Sequence, residues 1–210
     1  MKQFVTILMI LVSLAVFAQE RVHVGDIYCT DNTTVSPDDF STSGKTAFGV
    51  VFFVDNSQQH GWALALNDAD SDTLIWGNLG IQCYLNSYGA NPRLVYTDTI
   101  GAVRCDSIVR AAQEDGLALS NYSSAVNAAV SCGDGWYLPS IGQLVILYSN
   151  MIDVNMALDA CDGSRMTGRL YWSSMEEYYG VNSAWILNYD GAIAAKPKNE
   201  YAKVRAIRNF

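Results

Sequence analysis

Apolar residues in the first half of the chain form short blocks that turn residues separate. Ala47–Val54 and residues 61–66 are apolar runs of strand length, and Asp55-Asn56-Ser57 between them is a turn sequence. The pair therefore predicts a β-hairpin. Residues 24–28 have the composition of a short strand, and residues 30–43 are polar and rich in turn formers.

Apolar residues in the second half recur with helical spacing. This spacing predicts one helix over residues 105–112 that ends before Gly116, and a shorter one over Ser124–Val130. Ser140 is the expected N-cap of a third helix, with Gln143 completing a capping box, and Asp153 can cap a fourth. The apolar faces predicted for the third and fourth helices are Ile141, Leu144, Val145, Tyr148 and Ile152, and Val154, Ala157, Leu158 and Cys161.

From residue 170 the pattern returns to short strands. Strands are predicted over residues 170–174, 183–188, 192–196 and 203–209, with turns at Asp190-Gly191 and at residues 197–199. In the last strand, alternation is expected to place Val204, Ala206 and Arg208 on one face and Lys203, Arg205 and Ile207 on the other. A block of helices between two β regions indicates the α+β class.

The first residues have the features of a cleavable signal peptide. Lys2 precedes an apolar run over residues 4–17, and Val16-Phe17-Ala18 matches the small-residue cleavage pattern. The run is shorter than the about 20 residues of a membrane span. We expect residues 1–18 to be removed and the protein to be secreted, periplasmic or cell-surface, with an uncleaved anchor helix as the alternative.

The remaining residues, 19–210, are enough for one domain with a substantial core. We divide this domain into a β- and turn-rich part (24–96) and a part that carries the motifs described below (97–210). The chain has 13 basic and 21 acidic side chains and a net charge of -8, without a basic cluster. An acidic surface repels phosphate backbones, so nucleic acid is not an expected partner.

Five cysteines are present, at positions 29, 83, 105, 132 and 161. An exported protein can form disulfides, but an odd number leaves at least one thiol without an intramolecular partner. Cys132 follows one predicted helix and Cys161 closes the next pair, so a bridge between them is possible. Buried reduced cysteines are the alternative.

Sequence pieces over roughly the last half of the chain carry a family resemblance. They are Gly135-Trp136-Tyr137-Leu138-Pro139-Ser140, Gln143-Leu144, Val154-Asn155, Leu158, Tyr171-Trp172-Ser173-Ser174, Ala184-Trp185, Gly191, Lys196 and Val204-Arg205-Ala206-Ile207-Arg208. In this order and spacing they resemble the Lcl C-terminal-like family, a domain of unknown function in secreted proteins of Bacteroides-type bacteria. The resemblance implies a C-type-lectin-like fold with helices packed on small twisted antiparallel sheets and with the chain ends close together.

The motif residues have the chemistry of a scaffold. Large aromatic residues next to small ones are typical of a core, and an arginine on a half-buried strand commonly anchors a loop through carbonyls or a carboxylate. We assign a structural role to Trp136, Pro139, Trp172, Ser173, Ser174, Trp185, Arg205 and Arg208.

Catalysis and metal binding find little support in the sequence. His23 and His60 are the only histidines, and neither lies in a catalytic motif. Asp68, Asp70 and Asp72 alternate as in a calcium loop, but Thr73 and Leu79 replace its glycine and glutamate. We therefore expect no enzyme activity, no cofactor and no metal. The formylglycine-generating enzymes, similar in fold, place a reactive cysteine pair near their end, whereas the last cysteine here precedes the closing strands.

A binding surface is the remaining function class. In folds of the resembled type, ligands bind on strands and loops between the Trp-Ser-Ser element and the C-terminus. Aromatic and amide side chains there suit both sugar stacking and protein recognition. The predicted ligand residues are Tyr178, Tyr179, Asn182, Tyr189, Asp190, Lys198, Asn199 and Tyr201.

We expect a non-enzymatic recognition or adhesion module for an unknown protein or glycan ligand at the cell surface. Two alternatives stay open. One is a structural subunit of a surface assembly, and the other is a degenerate relative of the formylglycine-generating type of oxidoreductase.

Overall fold

A computed structural model describes residues 21–70, 72–81, 92–166, 169–177 and 181–210. The predicted signal peptide (1–18), Cys83, Tyr178 and Tyr179 lie outside these residues. The strands are β1 (Ile27–Cys29), β2 (Thr34–Val35), β3 (Ala47–Val54), β4 (Gly61–Ala65), β5 (Leu74–Ile75), β6 (Trp136–Tyr137), β7 (Tyr171–Glu176), β8 (Ser183–Leu187), β9 (Ile193–Pro197), β10 (Tyr201–Ala202) and β11 (Ile207–Asn209). The helices are α1 (Pro37–Ser43), α2 (Pro92–Val95), α3 (Gly101–Glu114), α4 (Leu119–Tyr122), α5 (Ser124–Val130), α6 (Ile141–Ser149) and α7 (Met151–Ala160).

The protein belongs to the α+β class, as predicted, with antiparallel sheets and several helices. The larger sheet has the strand order β2-β1-β3-β4-β11-β6, and β3 and β4 form the predicted hairpin. The C-terminal strand β11 lies between β4 and β6, so the last residues close this sheet. The Phe210 ring stacks on Tyr28 of β1 with 5.2 Å between ring centroids.

Helix α1 falls within a segment for which only turns were predicted. The Ser36 side chain accepts a hydrogen bond from the Asp39 amide, Pro37 occupies the first turn, and Gly44 ends the helix in the left-handed conformation. None of the residues of α1 is buried. Phe40 is half-buried against the core, so the helix combines one apolar contact with local capping, and its capping residues are the sequence signal for it.

The capping box of α6 forms as predicted, but the predicted apolar face is only partly correct. Ile141 and Leu144 are fully buried, whereas Tyr148 is 36% and Ile152 is 79% exposed. The error arises because the helix ends at Ser149, and the next helix turns away by 76°. On α7 the predicted Val154, Ala157 and Leu158 are all buried.

The segment predicted as one strand over residues 203–209 is a strand only in β11. Val204, Arg205, Ala206 and Ile207 are buried in succession, so the predicted alternation of faces is wrong. The reason is that this segment runs between two sheets. Trp172 donates to the Lys203 carbonyl at 3.0 Å on one side, and Ala65 donates to the Ala206 carbonyl at 2.9 Å on the other.

Two smaller sheets complete the fold, one of β7-β8-β9 and one of β5 and β10. Trp76, which follows β5, and Trp172 in β7 are fully buried in the core that these sheets share with the helices. Among the described helices none is by itself long and apolar enough to cross a membrane, and only the bent pair α6 and α7 reaches that length and composition together.

Candidate functional site

The predicted ligand residues lie at opposite ends of the β7-β8-β9 sheet. Ser183 pairs with Pro197 at one end of the β8-β9 ladder, and Leu187 pairs with Ile193 at the other. Four residue steps of about 3.3 Å separate these ends by about 13 Å along the strands. The described members of the predicted set therefore do not form one compact site.

Asn182, Lys198 and Asn199 lie at the first end, which we call the Lys198 end. The structure corrects the assignment of Lys198 as a ligand residue, because its side chain is 0% exposed. Its ammonium forms an ion pair with Glu176 and donates a hydrogen bond to the Ile81 carbonyl at 2.5 Å. A buried amine is stable only with such partners, so this lysine holds the fold together.

An aromatic ring covers this ion pair. The Lys198 ammonium lies 4.6 Å from the centre of the Trp76 ring. The Trp76 indole donates to the Ser173 carbonyl at 2.8 Å, and its amide donates to the Lys198 carbonyl at 2.8 Å. Every polar group of this tryptophan is engaged within the protein, and the ion pair beneath its ring is closed to solvent.

The other predicted residues near this end have different positions. The Asn182 side-chain oxygen accepts a hydrogen bond from the Gly80 amide at 2.8 Å, so it fixes a neighbouring loop. Asn199 is exposed in the turn after β9. Tyr201 is 64% exposed and pairs with Ile75 through β10.

Tyr189 and Asp190 lie in the β8-β9 turn at the opposite end of the sheet. There a small cleft, which we call the Tyr189 cleft, opens between this turn, α6 and the start of α7. The cleft has a volume of about 20 Å³. We call its exposed lining residues, Tyr148, Arg169 and Tyr189, the rim, and its less exposed ones, Met151, Tyr171, Leu187 and Asn188, the floor.

The turn that carries Tyr189 is held by local hydrogen bonds. The Asn188 amide donates to the Ala192 carbonyl at 2.7 Å, and the Ala192 amide donates to the Asp190 carboxylate at 3.0 Å. Gly191 has a φ of +82°, and a side chain there would collide with the ring of Tyr148. Asp190 therefore shapes the turn, and the Tyr148 ring packs closely against Gly191 of this turn.

The two rim tyrosines are exposed, while the tyrosine of the floor is buried. Tyr189 is 68% and Tyr148 36% exposed, and Tyr171 is buried with its hydroxyl 3.4 Å from Asp68. Burial raises the pKa of Tyr171 to about 12, so the floor stays uncharged at neutral pH. The cleft thus offers apolar rings and one basic side chain, Arg169.

Asp68 belongs to the acidic segment whose spacing resembles that of a calcium loop. Its carboxylate interacts with basic side chains of the protein. Arg205 Nε donates to this carboxylate at 2.7 Å, and the Lys203 ammonium lies 3.6 Å from it. Arg205 also donates to the carbonyls of Ala65 at 3.0 Å and Ser164 at 2.9 Å. The described residues contain no group of three or more carboxylates, histidines or cysteines that could hold a metal.

The tryptophans assigned to the scaffold differ in burial. Trp136 and Trp172 are buried and Trp185 is half-buried against the same core. The Trp172 indole donates to the Leu74 carbonyl at 2.8 Å. The Arg208 guanidinium, half-buried, lies over an aromatic ring, 4.9 Å from the centre of Phe48.

Two neighbouring serines in the centre of β7 have contrasting environments. The Ser173 hydroxyl donates to the Trp185 carbonyl at 2.7 Å and accepts from the Met175 amide at 3.2 Å. The Ser174 hydroxyl is buried and has no hydrogen-bond partner in the part of the chain that the structure describes. Its amide donates to the carbonyl of Pro139, which is also buried, at 2.8 Å.

The bridge considered between Cys132 and Cys161 is not formed, since both are free thiols, as are Cys29 and Cys105. Each of the two is turned toward its own helix end: Cys132 toward the Ala128 carbonyl at 3.5 Å and Cys161 toward the Leu158 carbonyl at 3.6 Å. Burial raises the pKa of all four thiols, in Cys105 to about 12.

Two larger cavities lie elsewhere on the surface. One, of about 330 Å³, lies between α1, α7 and the residues before β1, and Asp26, Asp38 and Asp153 line it. The other, of about 300 Å³, lies between α5 and the segment before β5, and Ser124 and Cys132 line it. Neither contains a residue that the sequence analysis assigned to ligand binding.

Of the residues that line the Tyr189 cleft, only Tyr189 was a predicted ligand residue, and Tyr148, Met151 and Arg169 lie outside the segment in which ligand residues were sought. Tyr148 fits the apolar period of α6 and was therefore predicted to be buried. The sequence predicted a new helix that starts at Asp153, but the break lies at Asn150, whose side chain donates to the Phe52 carbonyl and does not cap the helix, and Asp153 lies in the first turn. Arg169 lies in no motif, and no local signal distinguishes it from other surface arginines.

No family model matches the chain, and a search of the curated proteins finds no match either. The family resemblance carried by residues 135–208 therefore stays a prediction.

Proposed function

We propose that this chain is an exported recognition or adhesion module without enzyme activity, and that it binds its ligand at the Tyr189 cleft. The observation that carries the proposal is that two exposed rings, Tyr148 and Tyr189, line one small cleft together with Tyr171 and Leu187. We further propose a C-type-lectin-like fold of the Lcl C-terminal-like type.

Exposed aromatic rings on well-ordered elements are suited to binding. A tyrosine offers a large contact area and loses little conformational freedom, because it has only two side-chain torsions. Tyr148 projects from a capped helix, and Tyr189 projects from a hydrogen-bonded turn. A surface of this kind is ready to bind without rearrangement.

The proposed fold has support from the chain termini and from the helices. Phe210 stacks on Tyr28 and exchanges backbone hydrogen bonds with Gly61, so the last residue meets the first strand and the hairpin. Helices α6 and α7 pack on β3, and α6 also packs on β7 and β8. A closing strand that meets the hairpin and β1, and helices against antiparallel sheets, agree with the resemblance.

The cysteines favour binding over catalysis. A reactive cysteine requires a lowered pKa, because the thiolate is the nucleophile. Burial raises the pKa of each of the four described thiols, and Cys105 lies fully inside the protein. This chemistry does not support the oxidoreductase alternative.

The test uses residues 19–210 on an array of glycans and proteins, with Tyr189→Ala and Tyr148→Ala beside the wild type. Interface aromatics commonly cost 2 kcal/mol or more when truncated, so each variant should bind about 30-fold more weakly. Tyr201→Ala is the matched control, since Tyr201 is exposed to a similar extent but lies away from the cleft. Binding that depends on Tyr201 and not on the cleft tyrosines would contradict the proposed site.

Export has its own test. Mass spectrometry of protein from the native host should find Gln19 or its cyclised form at the N-terminus. Full-length chains starting at Met1 in the membrane fraction would contradict cleavage.

A protein that forms ordered assemblies and binds nothing on the array would instead support the structural-subunit alternative.

A further inference from the structure

The cavity of about 330 Å³ between α1, α7 and the residues before β1 has walls that the protein itself holds in place. We call it the Asp153 cavity. The Gly25 amide donates to the Val51 carbonyl and the Val51 amide donates to the Asp26 carbonyl, both at 2.8 Å, so the segment before β1 is fixed on β3. Asp153 of α7 lies against Gly25, where an added side-chain carbon would be 3.5 Å from the Asp153 side chain. Ligand pockets have volumes of about 300–1,000 Å³, so this cavity fits one long side chain or a small molecule.

The Asp153 cavity has an excess of negative charge. The carboxylates of Asp26, Asp38 and Asp153 line it, and its described lining residues include no basic side chain. Asp26 is already engaged, because its carboxylate accepts a hydrogen bond from the His23 amide at 2.8 Å and its side chain is only 13% exposed. Asp38 and Asp153 are exposed and form no hydrogen bond or ion pair with the residues that the structure describes. Two carboxylates are thus open to a cationic partner.

Exposed apolar side chains on α7 continue the wall of this cavity. Ile152, Met156 and Ala160 follow each other at intervals of four residues, so they lie on one face of the helix. Met156 and Ala160 line the cavity, and Ile152 lies one turn before them. Ile152 is 79% and Met156 63% exposed. Contiguous exposed apolar surface with a polar border typically marks a site for another protein, and methionine adapts its shape to the side chain that it contacts.

Three classes of occupant fit this surface poorly. The described residues contain no group of three or more carboxylates, histidines or cysteines that could hold a metal ion. Nucleic acids and anionic lipid surfaces have the same sign of charge as the cavity. A second copy of this chain has a net charge of -8 and no basic cluster, so it would bring further carboxylates to the site. A basic segment of another protein matches both the carboxylates and the apolar face.

We infer that the Asp153 cavity and the adjoining face of α7 bind a basic segment of a partner protein. The segment places a lysine or arginine side chain in the cavity, beside Asp38 and Asp153. An apolar side chain of the same segment covers Ile152 and Met156. A carboxylate accepts strong, charge-assisted hydrogen bonds from either cation. The inference goes beyond the proposed function, because the cavity shares no lining residue with the Tyr189 cleft.

The test uses fluorescently labelled, amidated peptides that carry Leu or Ala at one position and Lys, Arg, Gln or Glu at another. A Gly-Ser spacer of varied length separates the two positions. In fluorescence polarisation, residues 19–210 should bind the peptides that combine Leu with Lys or Arg most tightly. Replacing the Lys by Gln should weaken binding about five-fold, the effect of one exposed ion pair.

Variants then assign the preference for a cation to the cavity. Asp38→Asn and Asp153→Asn should each reduce the ratio of the affinities for the Lys and Gln peptides, and the double variant should remove the preference. Asp106→Asn is the matched control, because it removes the same charge from an exposed helical position that does not line the cavity, and it should behave as the wild type. Met156→Ala should bring the affinity of the Leu peptides close to that of the Ala peptides and leave the Lys-to-Gln ratio unchanged. The melting temperature of each variant checks that it is folded.

Four results would overturn the inference. The first is equal binding of the Lys and Gln peptides by the wild type. The second is a Lys preference that Asp106→Asn reduces as much as Asp153→Asn does, which would mean that the net charge attracts the peptides. The third is displacement of the labelled peptide by spermidine as effectively as by unlabelled peptide, which would indicate a site for small amines.

The fourth is loss of peptide binding in Tyr189→Ala, which would place the peptide at the Tyr189 cleft. The expected result is that Tyr189→Ala binds the basic peptides as the wild type does. The proposed site at the cleft is tested separately by its own variants on the array, so a failure of that site and a failure of this inference are distinguishable.

Discussion

Each end of the β7-β8-β9 sheet has a basic residue near an aromatic one, but these side chains are buried at one end and exposed at the other. At one end the Lys198 ammonium lies under the Trp76 ring and forms an ion pair with Glu176, so both the charge and the ring are buried. At the other end Arg169 and Tyr189 line the rim of an open cleft. A basic residue beside an aromatic residue is therefore part of the scaffold in one place and a candidate binding surface in the other.

The difference comes from what covers each end. The segment around β5 crosses the Lys198 end, where Trp76, Ile81 and Gly80 contribute their own hydrogen bonds. At the Tyr189 end, the described residues that approach each other belong to the short turn, to the start of β7 and to the bend between α6 and α7. Burial of a charge requires a complete set of partners, and the first end supplies them.

The largest expected effect separates the aromatic residues of the two ends. Trp76→Ala should lower the free energy of unfolding by about 3–5 kcal/mol, because it leaves a cavity and exposes the buried ion pair. Tyr189→Ala should change it by less than about 0.5 kcal/mol, since the side chain is mostly exposed. Urea denaturation of both variants measures the contrast. Equal effects would remove the distinction between a sealed and an open end.

The second effect concerns the buried ion pair. Glu176→Gln should destabilise the protein by about 3 kcal/mol, because it leaves the Lys198 charge buried without its carboxylate. The Ile81 carbonyl still accepts a hydrogen bond, which keeps the loss at the lower end of the usual range. Glu200→Gln, which breaks the ion pair with Lys196 at the surface, is the control and should cost less than about 1 kcal/mol. A Glu176→Gln protein as stable as the control would contradict a charged, buried Lys198.

The third effect is a loss of stability at high pH, to which Tyr171 in the floor of the Tyr189 cleft contributes. Burial raises the pKa of Tyr171 and of Tyr137 to about 12, so these hydroxyls ionise first in the unfolded chain. Their contribution to stability is complete below pH 10 and is lost as the pH rises toward 12, by about 2 kcal/mol for each group.

Urea unfolding between pH 9 and pH 11.5 measures this loss. Tyr171→Phe should show a shallower decline than the wild type, and Tyr137→Phe should show a similar one. Identical declines in the wild type and both variants would mean that neither hydroxyl is buried as the structure places it.

The smallest effect lies in β7, the strand that connects the two ends. Ser173→Ala should cost about 1 kcal/mol, because it leaves the Trp185 carbonyl and the Met175 amide without their partner. Ser174→Ala should be neutral within about 0.5 kcal/mol, because its hydroxyl has no partner among the described residues. The two adjacent substitutions are each other's control in one denaturation series. A larger loss for Ser174→Ala would indicate a buried water that this hydroxyl binds.

Local sequence patterns predicted helices and strands correctly where an apolar face or a capping residue marks the element. The hairpin Ala47–Val54 with β4, the helix Ser124–Val130 and the capping box at Ser140 follow from period, turn residues and caps. Helix α1 was missed although Ser36-Pro37 carries its start signal, because a polar segment was taken for a turn. The segment around Arg205 was predicted as one alternating strand and is buried on all sides instead.

The candidate site was predictable only in part. Tyr189 and its turn follow from the sequence, because Asp190-Gly191 is a turn signal between two strands. Lys198 was indistinguishable from a surface lysine, since its partners Glu176 and Ile81 are distant in sequence. Tyr148 was assigned to the core for a similar reason, because the 76° change of direction after α6 is not visible in the period of apolar residues.

The sequence by itself determined the α+β class and most of the helices and strands, because periodicity, caps and turns act over a few neighbouring residues. Only the tertiary structure decided which charges are neutralised and which side chains remain open to a partner. Burial depends on residues that meet across 20 to 140 positions, as Glu176 with Lys198 and Ala65 with Arg205 do. Arg169 and Lys198 are both basic residues near a strand, and packing alone makes one available and the other not.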